Sequence, residues 1–144
     1  MPTYDRFEDV PVWQTAANLY DQLDDFLGAR LSRLSFSFRN QLERAVLSIS
    51  NNIAEGFERG TKNELLNFLY IARGSAGEVR SMLTILSRRP WLEHEHKSKV
   101  SSLKFASESC SRQLSAWARS LQESDTVGRR HYYTKSQRDP DKRV

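Results

Sequence analysis

The stretch SNNIAEGFERGTKNE, residues 50–64, carries the sharpest local signal in the chain. Leading into it, Leu42, Val46, Ile49, Ile53 and Phe57 step by three and four residues, the spacing of one buried helix face. Gly60 stands where that run stops, the residue type best suited to ending a helix. Thr61 follows, with Glu64 three residues later. TKNE is therefore a capping box, in which each side chain can satisfy an orphan N–H in the first turn of a new helix. A junction this short forces the two helices into an antiparallel hairpin.

The same periodicity extends in both directions. The helix before the junction starts near Phe36 or Phe38 and reaches Arg59. The helix after it runs to about Arg88, with Leu65, Phe68, Leu69, Ala72, Ala76, Val79, Leu83 and Leu86 on one face. Leu66, Tyr70, Ile71, Met82 and Ile85 widen that face. A helix apolar on most sides has two neighbours, and a second subunit is one candidate for such a neighbour. An earlier helix is expected over Val10–Leu27, with Pro11 in its first turn and Gly28 at its end. The segment ARLSRLSFSF, residues 29–38, reads as a serine-rich connector. Beyond Pro90, PWLEHEHK is a link or the start of a fourth helix, which continues through Val100, Leu103, Ala106, Cys110, Leu114, Trp117 and Leu121. The expectation is an all-α, up-and-down antiparallel four-helix bundle over residues 1–123, followed by a basic, flexible tail over 124–144 that has too little apolar surface to fold alone.

Composition agrees with this. Six glycines and four prolines in 144 residues are too few for the many turns of a sandwich or barrel. A single cysteine, Cys110, rules out an intramolecular disulfide and fits a reducing compartment. The opening MPTYDRFEDVPVW has no apolar core and does not read as a signal peptide, and no apolar run is long enough to span a bilayer. These features point to a soluble, cytoplasmic protein without a membrane partner. Residues 124–144 hold six Lys/Arg and three Asp, so most of the net charge of +4 belongs to the tail. Basic tails suit acidic partners, nucleic acid before membranes. Arg129, Arg130, Lys135, Arg138, Lys142 and Arg143 could contact phosphates, and Tyr132 and Tyr133 could stack on unpaired bases. The bland alternative is a solubilising terminus that binds nothing.

Polar residues interrupt the apolar pattern around the junction. Ser48, Asn52, Glu55 and Arg59 share one flank of their helix, and Arg44 extends it by a turn. On the next helix Arg73, Ser75 and Glu78 are the polar members. The hairpin places Arg44 near Glu78, and a contact of Glu55 or Asn52 with Arg73, across a helix or a subunit contact, is a second, less well-placed pairing. An acid–base site is one explanation for this set. A bonded network fixing helix register is the favoured one, because no nucleophile or metal set accompanies it. Gly74 and Gly77 cost about 1 kcal/mol each against alanine in a helix, which predicts close approach of another backbone, with Ala45 and Val46 opposite. His94 and His96 fall on different helical faces and lack a third metal ligand, so no metal or other cofactor is expected. Cys110 lies in an apolar stripe and reads as a core thiol.

The segment RAVLSISNNIAEGFERGTKNELLNFLYIARGSAGE, residues 44–78, resembles the signature of the four-helix bundle protein family, also called 23S rRNA intervening-sequence proteins. The family pattern is approximately R-A-x-x-S-I-x-x-N-I-A-E-G-F-x-R, followed by I-A-x-G-S-x-x-E. Arg44, Ala45, Ser48, Ile49, Asn52 to Phe57 and Arg59 match the first part, and Ile71, Ala72, Gly74, Ser75 and Glu78 the second. FEDVPVWQTA resembles the family's opening, with Val10 in place of a leucine. The connector ARLSRLSFSF and the tail depart from the family. The resemblance implies a bundle that assembles into a homopentameric ring without known catalysis. It also implies kinship with accessory variability determinants of diversity-generating retroelements, basic pentamers that bind nucleic acid and a reverse transcriptase. The leading expectation is a non-enzymatic, oligomeric, RNA-binding accessory protein, partnered by a reverse transcriptase or a ribonucleoprotein. The alternative is a ring-shaped protein-interaction scaffold with no nucleic-acid role.

Overall fold

The computed structural model describes residues 3–29, 31 and 33–124. It contains four long helices: α1 (Pro11–Gly28), α2 (Phe36–Arg59), α3 (Lys62–Ser87) and α4 (His94–Glu123). A short 3₁₀ turn, Phe7–Asp9, precedes α1 and was not foreseen from the sequence. It is tied down by the Phe7 ring, edge-on to Trp13 at 5.4 Å, and by Gln14 Nε2, which donates to the Glu8 carbonyl at 3.0 Å.

Each helix begins where local chemistry allows. Val10 is the extended N-cap of α1, and Pro11 occupies the first turn, where a missing N–H costs nothing. Ser35 caps α2, its Oγ accepting from the Phe38 N–H at 3.1 Å. This resolves the choice of start in favour of Phe36. Gly60 ends α2 in the left-handed region at φ 87°, a conformation that glycine adopts without a Cβ penalty. Thr61 Oγ1 then accepts from the Glu64 N–H at 3.2 Å and bonds the Glu64 carboxylate at 3.0 Å. The first half of the capping box is thus in place.

The helices form an antiparallel bundle in which α3 packs on both α2 and α4, and α1 closes the ring against α2 and α4. Contacts set the directions: Gln41 with Glu78 and Ser48 with Ser75 between α2 and α3; Arg73 with Ser115 between α3 and α4; Gln113 with Thr15 between α4 and α1. The core is continuous through all four. Leu19, Leu23 and Phe26 of α1 meet Leu42, Ile49, Ile53 and Phe57 of α2, Leu65, Leu69 and Leu83 of α3, and Val100, Leu103, Leu114 and Leu121 of α4. Both packed neighbours of α3 come from its own chain, and Leu66 is buried between them.

The close backbone approach lies elsewhere than expected. A Cβ added at Gly74 or Gly77 would meet nothing within 4 Å. One added at Gly56 would meet Phe68 Cβ at 2.7 Å and Leu65 Cδ1 at 3.2 Å. Gly56 sits one turn before the hairpin, on the side of α2 that meets Leu65 and Phe68 of α3, whereas Gly74 and Gly77 lie farther along α3 and off its core face. Phe68 Cβ is the rigid root of its side chain, so a methyl at Gly56 must move a helix. Gly56→Ala is therefore expected to destabilise the fold by about 1–3 kcal/mol despite alanine's better helix propensity. Gly74→Ala is expected to stabilise a monomer by up to about 1 kcal/mol. Urea unfolding of both variants beside the parent chain checks the opposite signs.

Candidate functional site

The polar residues around the junction resolve into three small groups. In the first, Asn52 Nδ2 donates to the Ser48 carbonyl at 2.7 Å and to Ser48 Oγ at 2.9 Å. Ser48 Oγ lies 2.8 Å from Ser75 Oγ across the seam. This half-buried chain of three side chains links α2 to α3 through hydroxyls and an amide, without a charge. In the second, Arg59 donates to Glu55 Oε1 at 2.9 Å, lies 3.6 Å from Glu64 Oε2, and stacks 5.2 Å over the Phe68 ring. Its pKa is raised, first by the hydrogen bond to Glu55. In the third, Gln41 Nε2 donates to Glu78 Oε2 at 2.6 Å.

Two pairings expected from the sequence are not the ones formed within the chain. Glu78 bonds Gln41 and not Arg44, which is exposed and makes no ion pair among the described residues. Gln41 lies one turn from Arg44 but on the side of α2 that faces α3, whereas Arg44 points further out. Arg73 approaches neither Asn52 nor Glu55. It belongs to the opposite flank of α3, where Nη1 donates to Ser115 Oγ of α4 at 3.3 Å and the guanidinium lies 5.3 Å over Tyr70. A helix position fixes an angle around its axis, and residues 73 and 75 are about 200° apart. They were grouped by polarity although they serve different neighbours. Gln41 was missed because an uncharged residue among charged ones gave no signal.

The other sequence candidates are also placed. His94 and His96 lie in the first turn of α4, with His94 exposed and His96 half-buried, its ring edge-on to Phe26 at 6.1 Å. Among the described residues no three metal-capable side chains gather. Cys110 is fully buried, and burial pushes its thiol up to about 11. Arg129, Arg130, Tyr132, Tyr133, Lys135, Arg138, Lys142 and Arg143 lie outside the described residues. A groove of about 270 Å³ opens beside the start of α1, lined by Tyr4, Pro11, Val12, Gln113, Trp117 and Ser120 among others. It is largely apolar, and Gln113 Nε2 is engaged with Thr15 and Ser109. No helix among the described residues is long and apolar enough to cross a membrane.

The signature residues, the short α2–α3 junction and the four-helix arrangement coincide with a match over residues 8–116 to the 23S rRNA-intervening sequence protein family. The chain belongs to that family. No curated protein matches it. It is similar to a crystal structure of a protein of unknown function from the S23 ribosomal protein family of Bacteroides thetaiotaomicron. The TM-score is 0.65 at 20% identity, covering 75% of this chain and 95% of the other, a likeness of fold. The family match ends at residue 116, within α4. Within the matched span, the Asn52–Ser48–Ser75 link and the Gly56 contact account for polar and small residues that otherwise resemble an active site.

The buried thiol yields a direct check. With its pKa near 11, Cys110 carries about 1% of the thiolate of an ordinary cysteine at pH 8. Iodoacetamide is expected to alkylate the native protein at least about 100-fold more slowly than the urea-unfolded chain at that pH, read by intact mass.

Proposed function

We propose that the protein is a non-enzymatic, self-assembling RNA-binding accessory protein. Membership of a family named for intervening sequences of 23S rRNA is the observation that carries the RNA assignment. The chain's basic balance, concentrated after residue 123, supports the same partner class. The polar signature supports a structural role over catalysis. Ser48, Asn52 and Ser75 bond one another, and Glu55 is paired with Arg59, so the groups of this signature are engaged with one another. In this proposal a reverse transcriptase or a ribonucleoprotein is the larger assembly served.

Self-assembly has its own support. Ile71 and Ile85 remain 51% and 45% exposed on the outer side of α3, and Gly74 lies on that side with open space over it. Ile71 and Ile85 are fourteen residues apart, four turns along one side of α3. We assign this face to contact between copies of the chain, with five copies in the ring. The same exposed face favours the second reading, a scaffold that presents helices to a protein partner.

Two measurements test the proposal. Fluorescence anisotropy of a labelled single-stranded RNA is expected to show binding whose affinity falls steeply with salt, about 10-fold or more between 50 and 200 mM. Replacing Arg129, Arg130, Lys135, Arg138, Lys142 and Arg143 with glutamine is expected to weaken it. Salt-independent binding, or none at 50 mM salt, would reject the RNA assignment and leave the scaffold. Light scattering on the parent chain is expected to give the mass of a pentamer, and Ile71→Glu that of a monomer with unchanged helicity. A monomeric parent would reject the ring.

A further inference from the structure

A second concentration of positive charge lies among the described residues, away from the α2/α3 seam. Arg73 and Arg80 stand on α3, Arg112 and Arg119 on α4, all exposed. Within each pair the residues are seven apart, about 10.5 Å along the axis on nearly the same side. The bonds from Arg73 to Ser115 and from Gln122 to Tyr70 bring these two flanks together, so the four guanidiniums line one groove. Ion pairs among the described residues belong to Arg6, Arg39 and Arg59 and to none of these four. Glu108 and Glu123 are the carboxylates on the α4 side of the groove, and neither forms an ion pair with them.

The arginines associate with aromatic rings. Arg73 lies 5.3 Å over Tyr70 and Arg112 lies 5.7 Å over Phe105. Phe105 is 66% exposed, a large apolar ring held out on the surface of a helix whose other large apolar residues are buried or partly buried. Each pair sets a guanidinium beside an aromatic ring on an exposed part of the surface. Unpaired bases stack on such surfaces, both on aromatic rings and on guanidinium planes, while phosphates take the remaining donors. A duplex hides its base faces and cannot use the rings.

We infer that the α3/α4 groove, through Arg73, Arg80, Arg112, Arg119, Tyr70 and Phe105, is a binding track for single-stranded RNA. The inference rests on the RNA assignment proposed above and adds a folded surface to the tail. Strand choice follows from the exposed rings, and sequence tolerance from stacking, which any base can supply.

The test uses full-length protein and a fluorescein-labelled 20-nucleotide oligouridylate, titrated by anisotropy over a salt series, with thermal melts confirming each fold. The Arg73→Gln, Arg112→Gln double variant is expected to bind at least about 10-fold more weakly at 50 mM salt. Its slope of log affinity against log salt should be shallower by about 1.4, the loss of two phosphate contacts to a single strand. Arg73→Lys with Arg112→Lys is expected to keep the slope and lose affinity, because ammonium groups retain charge but not the planar stack. Phe105→Ala should also lower affinity at unchanged slope. If the double glutamine variant binds like the parent while the six-fold tail variant loses binding, the groove is overturned and RNA binding stands on the tail alone. If the parent chain itself fails to bind, the RNA assignment falls and the groove with it.

Discussion

The architecture depends on the close convergence of α2 and α3 at their shared end. Gly56 lets Phe68 come within 2.7 Å of where a methyl would stand, and Gly60 reverses the chain at φ 87° four residues later. Thr61 restarts the helix at once by accepting the Glu64 N–H. With so little chain between them, the two helices have one available register. Arg59 reinforces it by bridging to Glu55 on its own helix and to Glu64 on the next, while lying over Phe68. These ion pairs are about half exposed, and their contribution is correspondingly small beside the steric constraint.

From that end the seam is kept in register by neutral polar contacts. Asn52, Ser48 and Ser75 satisfy one another where apolar side chains alone would allow sliding by a turn. A neutral network avoids the desolvation cost of a buried ion pair while retaining direction, since hydrogen bonds fail over a few tenths of an ångström and apolar contacts do not. The motif that first suggests chemistry thus has a sufficient explanation in packing. Its amide and hydroxyl groups are occupied by one another.

Helix α3 then has three different sides. One is locked to α2, one meets α4 across the arginine and aromatic groove, and the outward one carries Ile71, Gly74 and Ile85. The last two are compatible because they lie on separate flanks of the same helix. A copy of the chain docked against Ile71 leaves the groove by Arg73 and Arg112 facing away. Assembly would then repeat a weak surface around a ring and raise its affinity through multiple contacts.

Helix number, order and the hairpin were legible from residues alone, because spacing by three and four, a terminal glycine and a capping box are local signals. Phe57, Gly60 and Thr61 occupy the roles their spacing predicts, whereas the Glu64 carboxylate meets the Thr61 hydroxyl and not a backbone N–H. Partner choice was not legible. Arg73 and Ser75 looked like members of one set, yet a two-residue step turns a helix by about 200° and sends them to different neighbours. Glu78 took Gln41 in place of Arg44, and Gly56, not Gly74, carries the close approach. What the sequence determined by itself was which faces must be buried and where helices start and stop, since those depend on neighbours a few residues away. Which polar groups meet, which glycine is compressed and which arginines stay out of ion pairs were decided only by the tertiary structure, because each depends on the distance and rotation between helices packed from far apart in the chain.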